Sequence, residues 1–275
     1  MTYKLPPLAE LPNTFRGTNL LLQGASGTGK TYAIHSLVNA GITPFVLFTE
    51  PGMEILEDIP EDKCHWKYIP PVAEGFDAMM ETATKIRDLS FEGLTKLKAG
   101  IDKKGHDQWL DVLTSLGNFR CDRTGEEFGS VLDWKADRAL VVDSLSGLCI
   151  MSMALVIGGK PVKSMSDWMV AQDNVEKLIN KLCMDTACWF VLTAHIDRLL
   201  DEVMGGMKVM TSSLGSKLSP KLPRYFSDVV LCSREGDKFL WDTADSTADL
   251  KARNLPVKGD LPPDFSRIVQ TALRS

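Results

Sequence analysis

The sequence predicts an α/β fold, in which a mainly parallel twisted sheet carries helices on both of its faces. Short apolar runs alternate along the chain with longer segments whose apolar residues recur at helical spacing. The runs are continuously apolar, as expected of strands that are covered on both sides. A glycine-rich loop between the first run and the first helical segment is the third observation. We expect a single domain over residues 1–275, with its core at about 15–255 and an irregular, proline-containing C-terminal tail.

The composition excludes several classes of protein. The chain has 275 residues, of which 44% are hydrophobic and 24% charged, with a formal net charge of −5. Binding of nucleic acid would therefore need a local basic patch. No apolar run reaches roughly 18 residues, and the first residues lack the apolar centre of a signal peptide. We expect no membrane partner, reduced cysteines and a cytoplasmic location, which means the host cytoplasm if the protein is phage-encoded.

The alternation gives a specific order of elements. The expected strands lie near residues 20–23, 43–48, 65–69, 138–143, 189–193, 229–232, 238–241 and 250–253. The expected helices lie near residues 31–40, 75–98, 107–116 and 166–184, and Ser166 and Asp167 are expected to cap the last of them. Residues 203–227 are rich in glycine and serine, and we expect a long loop there.

Residues 24–31, GASGTGKT, have the spacing of a P-loop and follow an apolar strand. Glycines allow backbone N–H groups to converge on phosphate oxygens, and the helix that follows favours negative charge at its N-terminus. Lys30 is expected at the β and γ phosphates and the Thr31 hydroxyl on Mg²⁺, so the motif predicts ATP and Mg²⁺ as cofactors. The predicted nucleotide-binding residues are Gly24, Ala25, Ser26, Gly27, Thr28, Gly29, Lys30, Thr31 and Tyr32.

Residues 138–143, RALVVD, fit a Walker B strand that ends in an aspartate. Asp143 is expected to hold Mg²⁺ through water beside the P-loop. The alternative is a buried strand whose aspartate merely caps the next turn. The following residue is Ser144, whereas AAA+ ATPases usually carry their catalytic glutamate at that place. The general base must therefore come from elsewhere in the chain.

With these motifs the sequence resembles the RecA-like ATPases over most of residues 15–255, and ALVVDSLSGL is similar to the RecA Walker B strand. In that family the catalytic glutamate lies just past the strand that follows the P-loop helix, and Glu50 occupies the matching place. His195 ends a later strand, where the family has a polar residue that senses the γ-phosphate. The alternatives are an exposed loop glutamate and a structural histidine.

Lys251 and Arg253 resemble the K-x-R element of the DnaB and KaiC branches, in which both cations reach the γ-phosphate of the neighbouring subunit. In a strand, residues i and i+2 lie on one face, so both side chains can point at one target. The alternative is two solvated cations on an edge strand. The resemblance implies self-association. We find no N-terminal polymerisation helix of the bacterial RecA kind, so ring and filament both stay open.

Residues 121–129 and 214–228 are similar to the RecA-like ATPases of bacteriophages that are linked to single-strand annealing and recombination. This resemblance implies single-stranded DNA as a partner. The predicted DNA-binding residues are Lys208, Lys217, Lys221 and Arg224 in the acid-free stretch 203–227, and Lys160 and Lys163 after the Walker B strand. Three alternatives remain: a loop whose charges are only solvated, a ring translocase or helicase of the DnaB kind, and a nucleotide-gated regulatory ATPase that does not bind DNA.

Overall fold

A computed structural model describes residues 15–71, 76–90, 92–93, 106–158, 163–200, 205–215 and 217–274. The strands in these residues are β1 Asn19–Gly24, β2 Thr43–Phe48, β3 His65–Tyr68, β4 Arg138–Asp143, β5 Trp189–Ala194, β6 Ile196–Leu200, β7 Met207–Thr211, β8 Asp228–Glu235, β9 Lys238–Asp242 and β10 Lys251–Ala252. The α-helices are α1 His35–Asn39, α2 Phe76–Asp88, α3 Gln108–Gly117, α4 Leu145–Ile157, α5 Met165–Asp185 and α6 Phe265–Ala272.

The central sheet has the strand order β10-β8-β1-β5-β4-β2-β3, and β9 also pairs with β8. The strands from β8 to β3 in this order are all parallel to one another. β9 and β10 are antiparallel and share the outer edge of β8, with β10 at its beginning and β9 at its end. The predicted mainly parallel sheet is therefore confirmed.

Consecutive strand residues point to opposite faces of the sheet and feed two separate cores. On one face Leu21 packs with α3, α4 and α5, and on the other Leu20 and Leu22 pack with α1 and α6. Helices therefore cover both faces, as the continuously apolar strands predicted. Because the six strands from β8 to β3 are parallel, their carboxyl ends all lie at the same edge of the sheet, where ligands bind in open α/β folds.

Several segments differ from the sequence prediction, among them α4, which was not expected. The C-terminal tail is not irregular throughout, because α6 begins at the N-cap Asp264 and buries Phe265, Ile268 and Val269. The predicted loop 203–227 contains β7, which forms a two-stranded hairpin with β6, and a short 3-10 helix at Leu222–Arg224. The helix expected from residue 166 starts earlier, because Ser164 is its N-cap and pairs with Asp167 in a capping box.

Two further features concern the environment of the protein. Among the described residues no helix combines the length and the apolar character that a membrane span requires. All six cysteines are free and buried. Burial raises the pKa of Cys64, Cys149, Cys183 and Cys232 to about 12, so these thiols stay protonated and weakly nucleophilic.

Candidate active site

The P-loop connects β1 with a short 3-10 helix, Tyr32–Ile34, that leads into α1. Gly27 and Gly29 have φ angles of 74° and 79°, which residues with a Cβ atom rarely adopt. A Cβ atom on Gly24 would lie 2.5 Å from the Cys232 carbonyl oxygen on β8. The loop therefore needs glycine both for its turns and for its close approach to the neighbouring strand.

Lys30 lies inside this loop rather than in solvent. Its ammonium group donates to the carbonyl oxygens of Gly24 and Ala25, each at 2.8 Å, and the residue is 7% exposed. Burial lowers the pKa of Lys30 below its ordinary value, and the nearby Asp143 and Glu50 partly oppose this shift. An ammonium group that has lost most of its water is stabilised by an anion, which is what a phosphate chain in the loop would supply.

The two predicted metal ligands meet directly. The Thr31 hydroxyl donates to Asp143 Oδ2 at 2.6 Å, and the Thr193 hydroxyl donates a very short hydrogen bond to Asp143 Oδ1. A hydroxyl and a carboxylate side by side are the hard oxygen ligands that Mg²⁺ prefers. The residues therefore fit this ion, and Thr193, which the sequence analysis did not single out, orients the carboxylate.

Ser144 occupies the place of the glutamate found in AAA+ ATPases, and here it has a structural role. Its hydroxyl accepts from the Ser146 N–H at 3.2 Å as the N-cap of α4, and the residue is 1% exposed. The Thr49 hydroxyl donates to the Ser144 carbonyl at 2.7 Å and accepts from the Ser144 N–H at 2.9 Å. These bonds join the carboxyl ends of β2 and β4, which fixes Glu50 relative to Asp143.

Glu50 and His195 follow the carboxyl ends of β2 and β5. His195 Nε2 lies 3.4 Å from Glu50 Oε2, and both side chains are about one-third exposed. The two residues line the same cleft as the P-loop and Asp143. The structure thus brings together the predicted base, the predicted γ-phosphate sensor and the predicted metal ligands at one edge of the sheet.

The cleft has a second wall that the sequence analysis missed. Arg234 and Phe239 line it from the β8–β9 hairpin. A Cβ atom on Gly29 would lie 2.5 Å from the Phe239 ring, so the hairpin and the P-loop are in close contact. No local pattern marks these residues, because they reach the P-loop only through the pairing of β8 with β1.

Lys251 and Arg253 lie away from the P-loop of their own chain. Lys251 pairs with Val229 at the beginning of β8, whereas Gly24 is beside Cys232, three residues further along that strand. The Lys251 ammonium donates to the carbonyl oxygens of Pro223 and Phe226. We call the surface depression lined by Arg224, Lys251 and Arg253 the basic hollow. Both predicted cations are exposed and share it, although β10 ends at Ala252 and Arg253 therefore lies just beyond the strand on which it was expected.

The predicted DNA-binding residues do not form one group. Lys208 lies 3.6 Å from an Asp249 carboxylate oxygen, and Lys221 lies 2.7 Å from a Glu176 carboxylate oxygen. Burial raises the pKa of Glu176, but hydrogen bonds from Lys221 and Tyr225 outweigh this and leave the pKa below its usual range. Glu176 is thus charged at neutral pH and holds Lys221.

The remaining predicted DNA-binding residues are differently placed. Lys217 is exposed and Arg224 lies in the basic hollow. The Lys163 ammonium lies 5.1 Å from the centre of the Trp168 ring. Trp168 also lies beside Gly215, so Lys163 and the segment leading to Lys217 approach the same end of α5. Lys160 lies outside the described residues.

Comparison with known proteins identifies the family of the chain. A family model described as an AAA domain matches residues 16–255, a range that includes the P-loop, the Walker B strand and Arg253. No curated protein matched the chain. The match extends over most of the sequence, and the predicted P-loop and Walker B residues lie together within it. The chain therefore belongs to the AAA-domain family and is an AAA-type P-loop ATPase.

Proposed function

We propose that the chain is a RecA-like, Mg²⁺-dependent ATPase of the kind that bacteriophages use in single-strand annealing and recombination, and that it works as an oligomer on single-stranded DNA. The observation that carries the hydrolytic part is the meeting of Thr31 and Asp143 at 2.6 Å beside the buried Lys30 ammonium. Bound Mg²⁺ would neutralise charge on the β and γ phosphates.

Hydrolysis then depends on five side chains. Lys30 holds the β and γ phosphates, and Thr31 with Asp143 supplies the oxygen ligands of the ion. Glu50 accepts a proton from the water that attacks the γ-phosphate, and His195 orients the Glu50 carboxylate through their 3.4 Å contact. Thr49, just after the end of β2, is hydrogen-bonded to Ser144, just after the end of β4. The spacing between Glu50 and Asp143 is therefore fixed before the nucleotide binds.

The β6–β7 hairpin supports coupling between the nucleotide and a distant ligand. It begins at the residue after His195, and the Ser212 N–H donates to the His195 carbonyl at 2.7 Å. The Thr211 hydroxyl donates to Gln23 Oε1 at 2.6 Å, and Gln23 immediately precedes Gly24 of the P-loop. The base of the hairpin therefore contacts His195 of the cleft and the strand that carries the P-loop, so a ligand on the hairpin and a nucleotide in the cleft can influence each other.

The DNA contacts rest on Lys163 and Lys217, which have no carboxylate partner within ion-pair distance among the described residues, whereas Arg224, also predicted to bind DNA, lies in the basic hollow. A cation without a local carboxylate is free to bind a DNA phosphate. The pairing of Lys208 with Asp249 and of Lys221 with Glu176 favours the second candidate function, a nucleotide-gated ATPase that does not bind DNA.

Self-association is supported by the basic hollow. Arg224, Lys251 and Arg253 share one surface depression, and Lys251 pairs with β8 three residues before the place where β8 meets the P-loop of the same chain. In an oligomer this surface would meet the γ-phosphate held by a neighbouring copy, so that each site is completed in trans by the next subunit. Lys251 in addition holds the turn that carries Arg224, through the Pro223 and Phe226 carbonyls.

Turnover with and without single-stranded DNA tests the proposal against the second candidate. Stimulation of ATP hydrolysis by single-stranded DNA is the expected result, and a rate that is indifferent to DNA at low salt favours the nucleotide-gated alternative. Particle size with and without ATP tests assembly. Strand annealing without unwinding distinguishes the proposed activity from a ring helicase.

A further inference from the structure

The wall of the cleft opposite Glu50 is aromatic. The Tyr32 ring is 51% exposed, and its centre lies 5.6 Å from that of Phe239 at an interplanar angle of 46°. His35 also packs against Tyr32, with its ring centre 4.8 Å from that of Tyr32. His35 is in turn held by Asp58 at 2.8 Å and by the Tyr32 carbonyl at 2.9 Å. Tyr32 thus contacts two other rings while about half of the residue stays exposed.

Phe239 is held just as firmly. It lies directly opposite Arg234 in the β8–β9 pair, and the Arg234 guanidinium lies 5.6 Å from the centre of its ring. Arg234 Nε donates to the Gly236 carbonyl in the hairpin turn at 2.8 Å, which keeps the guanidinium on the ring. The Phe239 ring also contacts the P-loop at Gly29.

The strand order determines how a nucleoside triphosphate is oriented in the cleft. β1, which carries the P-loop, has β5, β4 and β2 on one side and β8 with β9 on the other. The first side supplies His195, Asp143 and Glu50, all proposed to act at the γ-phosphate. A triphosphate whose γ end points to that side must extend its nucleoside toward the side of β8 and β9, where Phe239 and Tyr32 lie.

We propose that Tyr32 and Phe239 form a stacking platform for the base of the bound nucleoside triphosphate, with Arg234 as the residue that positions Phe239. The inference rests on the proposed function, because that function sets the direction of the triphosphate. Every base has a π face, so stacking stabilises purine nucleotides with little discrimination between them. ATP and GTP are therefore expected to bind with affinities within about tenfold of each other.

Equilibrium binding of two ligands tests the platform: the non-hydrolysable β,γ-imido analogue of ATP, and inorganic tripolyphosphate, which has no base. In Tyr32→Ala and Phe239→Ala the analogue is expected to bind about 5- to 150-fold more weakly, the range found for loss of one base–aromatic stack. Tripolyphosphate is expected to bind these variants as it binds the original protein. Phe239→Tyr, which keeps the ring, should restore binding of the analogue.

Ile55 provides the matched control. It is an apolar residue, 46% exposed, that lines the cleft from the 3-10 helix Met53–Leu56 after β2, on the Glu50 side. Ile55→Ala is expected to leave the affinity for the analogue unchanged. A loss in Ile55→Ala with no loss in Phe239→Ala would put the base on the other wall and overturn the platform.

Two other outcomes also overturn the platform, and they separate it from the proposed function. An equal loss of analogue and tripolyphosphate affinity in the aromatic variants would mean that Tyr32 and Phe239 only shape the P-loop. Equal affinity of the original protein for both ligands would mean that the base contributes nothing, although hydrolysis stands. If neither ligand binds the original protein, the nucleotide site itself fails and the platform with it.

Discussion

The two ends of β8 present cations in opposite ways. At the P-loop end, Lys30 is buried, donates to two carbonyl oxygens and lies near Asp143 and Glu50. At the other end, the three cations of the basic hollow are at the surface, and none has a carboxylate within ion-pair distance among the described residues. The first group is buried and paired within one chain, whereas the second is exposed. This difference is the one expected if Lys30 works in the site of its own chain and the basic hollow works, as proposed, at the site of a neighbouring copy.

The largest expected effect comes from the buried cation. Lys30→Ala removes the ammonium that holds the β and γ phosphates and leaves the loop backbone in place, so we expect ATP turnover to be abolished and nucleotide binding weakened. A phosphate-release assay measures the first and calorimetry the second, while the melting temperature should stay nearly the same. Lys177→Ala, which removes an exposed lysine from α5, is the control. Unchanged turnover in Lys30→Ala would contradict the assignment of the P-loop.

A substitution in the basic hollow should lower turnover almost as much, but adding a second variant should restore part of the activity. Arg253→Ala is expected to lower turnover by about 10³-fold or more, as loss of an arginine finger does. Mixing it with inactive Lys30→Ala protein should restore part of the activity, because some interfaces then join an intact P-loop to an intact Arg253. Absence of recovery at every ratio, with co-assembly verified, would argue that Arg253 does not act in trans.

The variants Arg224→Ala and Lys251→Ala separate the effect of the hollow on activity from its effect on stability. Lys251 also holds the Pro223 and Phe226 carbonyls, so its loss is expected to lower the melting temperature as well as activity. Arg224 lines the hollow without such a bond from its side chain among the described residues, and its loss is expected to lower activity alone.

Glu50→Gln tests the proposed proton acceptor, which lies in the nucleotide cleft at the P-loop end of β8. The amide keeps the shape and the contact with His195 but cannot take a proton, so we expect ATP to bind and turnover to fall by about 10² to 10⁴-fold. Single-turnover kinetics separate the chemical step from binding. Glu54→Gln, an exposed glutamate in the next turn, is the matched control. A kinetic defect in Glu54→Gln that equals the one in Glu50→Gln would mean that the base is assigned wrongly.

The smallest expected effect concerns DNA, and it uses the same distinction between free and paired cations. Lys217→Ala should flatten the salt dependence of single-stranded DNA binding by about 0.7 in slope, the value of one phosphate contact. Lys221→Ala should change it less, because Lys221 is paired with Glu176. Filter binding over a series of salt concentrations measures both slopes. If both variants keep the original affinity and slope, these residues are not the DNA site.

The sequence predicted those parts of the site in which a short sequence motif determines the local structure of the same residues. The spacing of Gly24 to Thr31 and the apolar run before Asp143 were sufficient to predict a P-loop next to a Walker B strand, and the structure brings Thr31 and Asp143 into contact. The continuously apolar strands likewise predicted a parallel sheet covered on both faces. In each case the information is local and does not depend on distant pairing.

The features that were missed depend on non-local contacts or on patterns without a period. α4 is buried on nearly all sides, so it has no polar face to reveal a helical repeat. α6 follows Pro262 and Pro263, which suggested an irregular tail, yet Asp264 caps it and its apolar side packs against α1. The aromatic wall of the cleft is invisible in sequence because Phe239 reaches Gly29 only after β8 has paired with β1.

The pairing of β1 also determines when the protein becomes able to bind a nucleotide during its synthesis. β1 is made early, but its two neighbours, β5 and β8, are encoded far later, and the Phe239 ring that abuts the P-loop comes later still. Contacts this distant in sequence form slowly, because a long stretch of chain must be ordered to close them. We therefore expect the P-loop to take its final shape only after β5, β8 and β9 have been made. A ribosome-bound fragment that ends before β9 is therefore expected not to bind ATP.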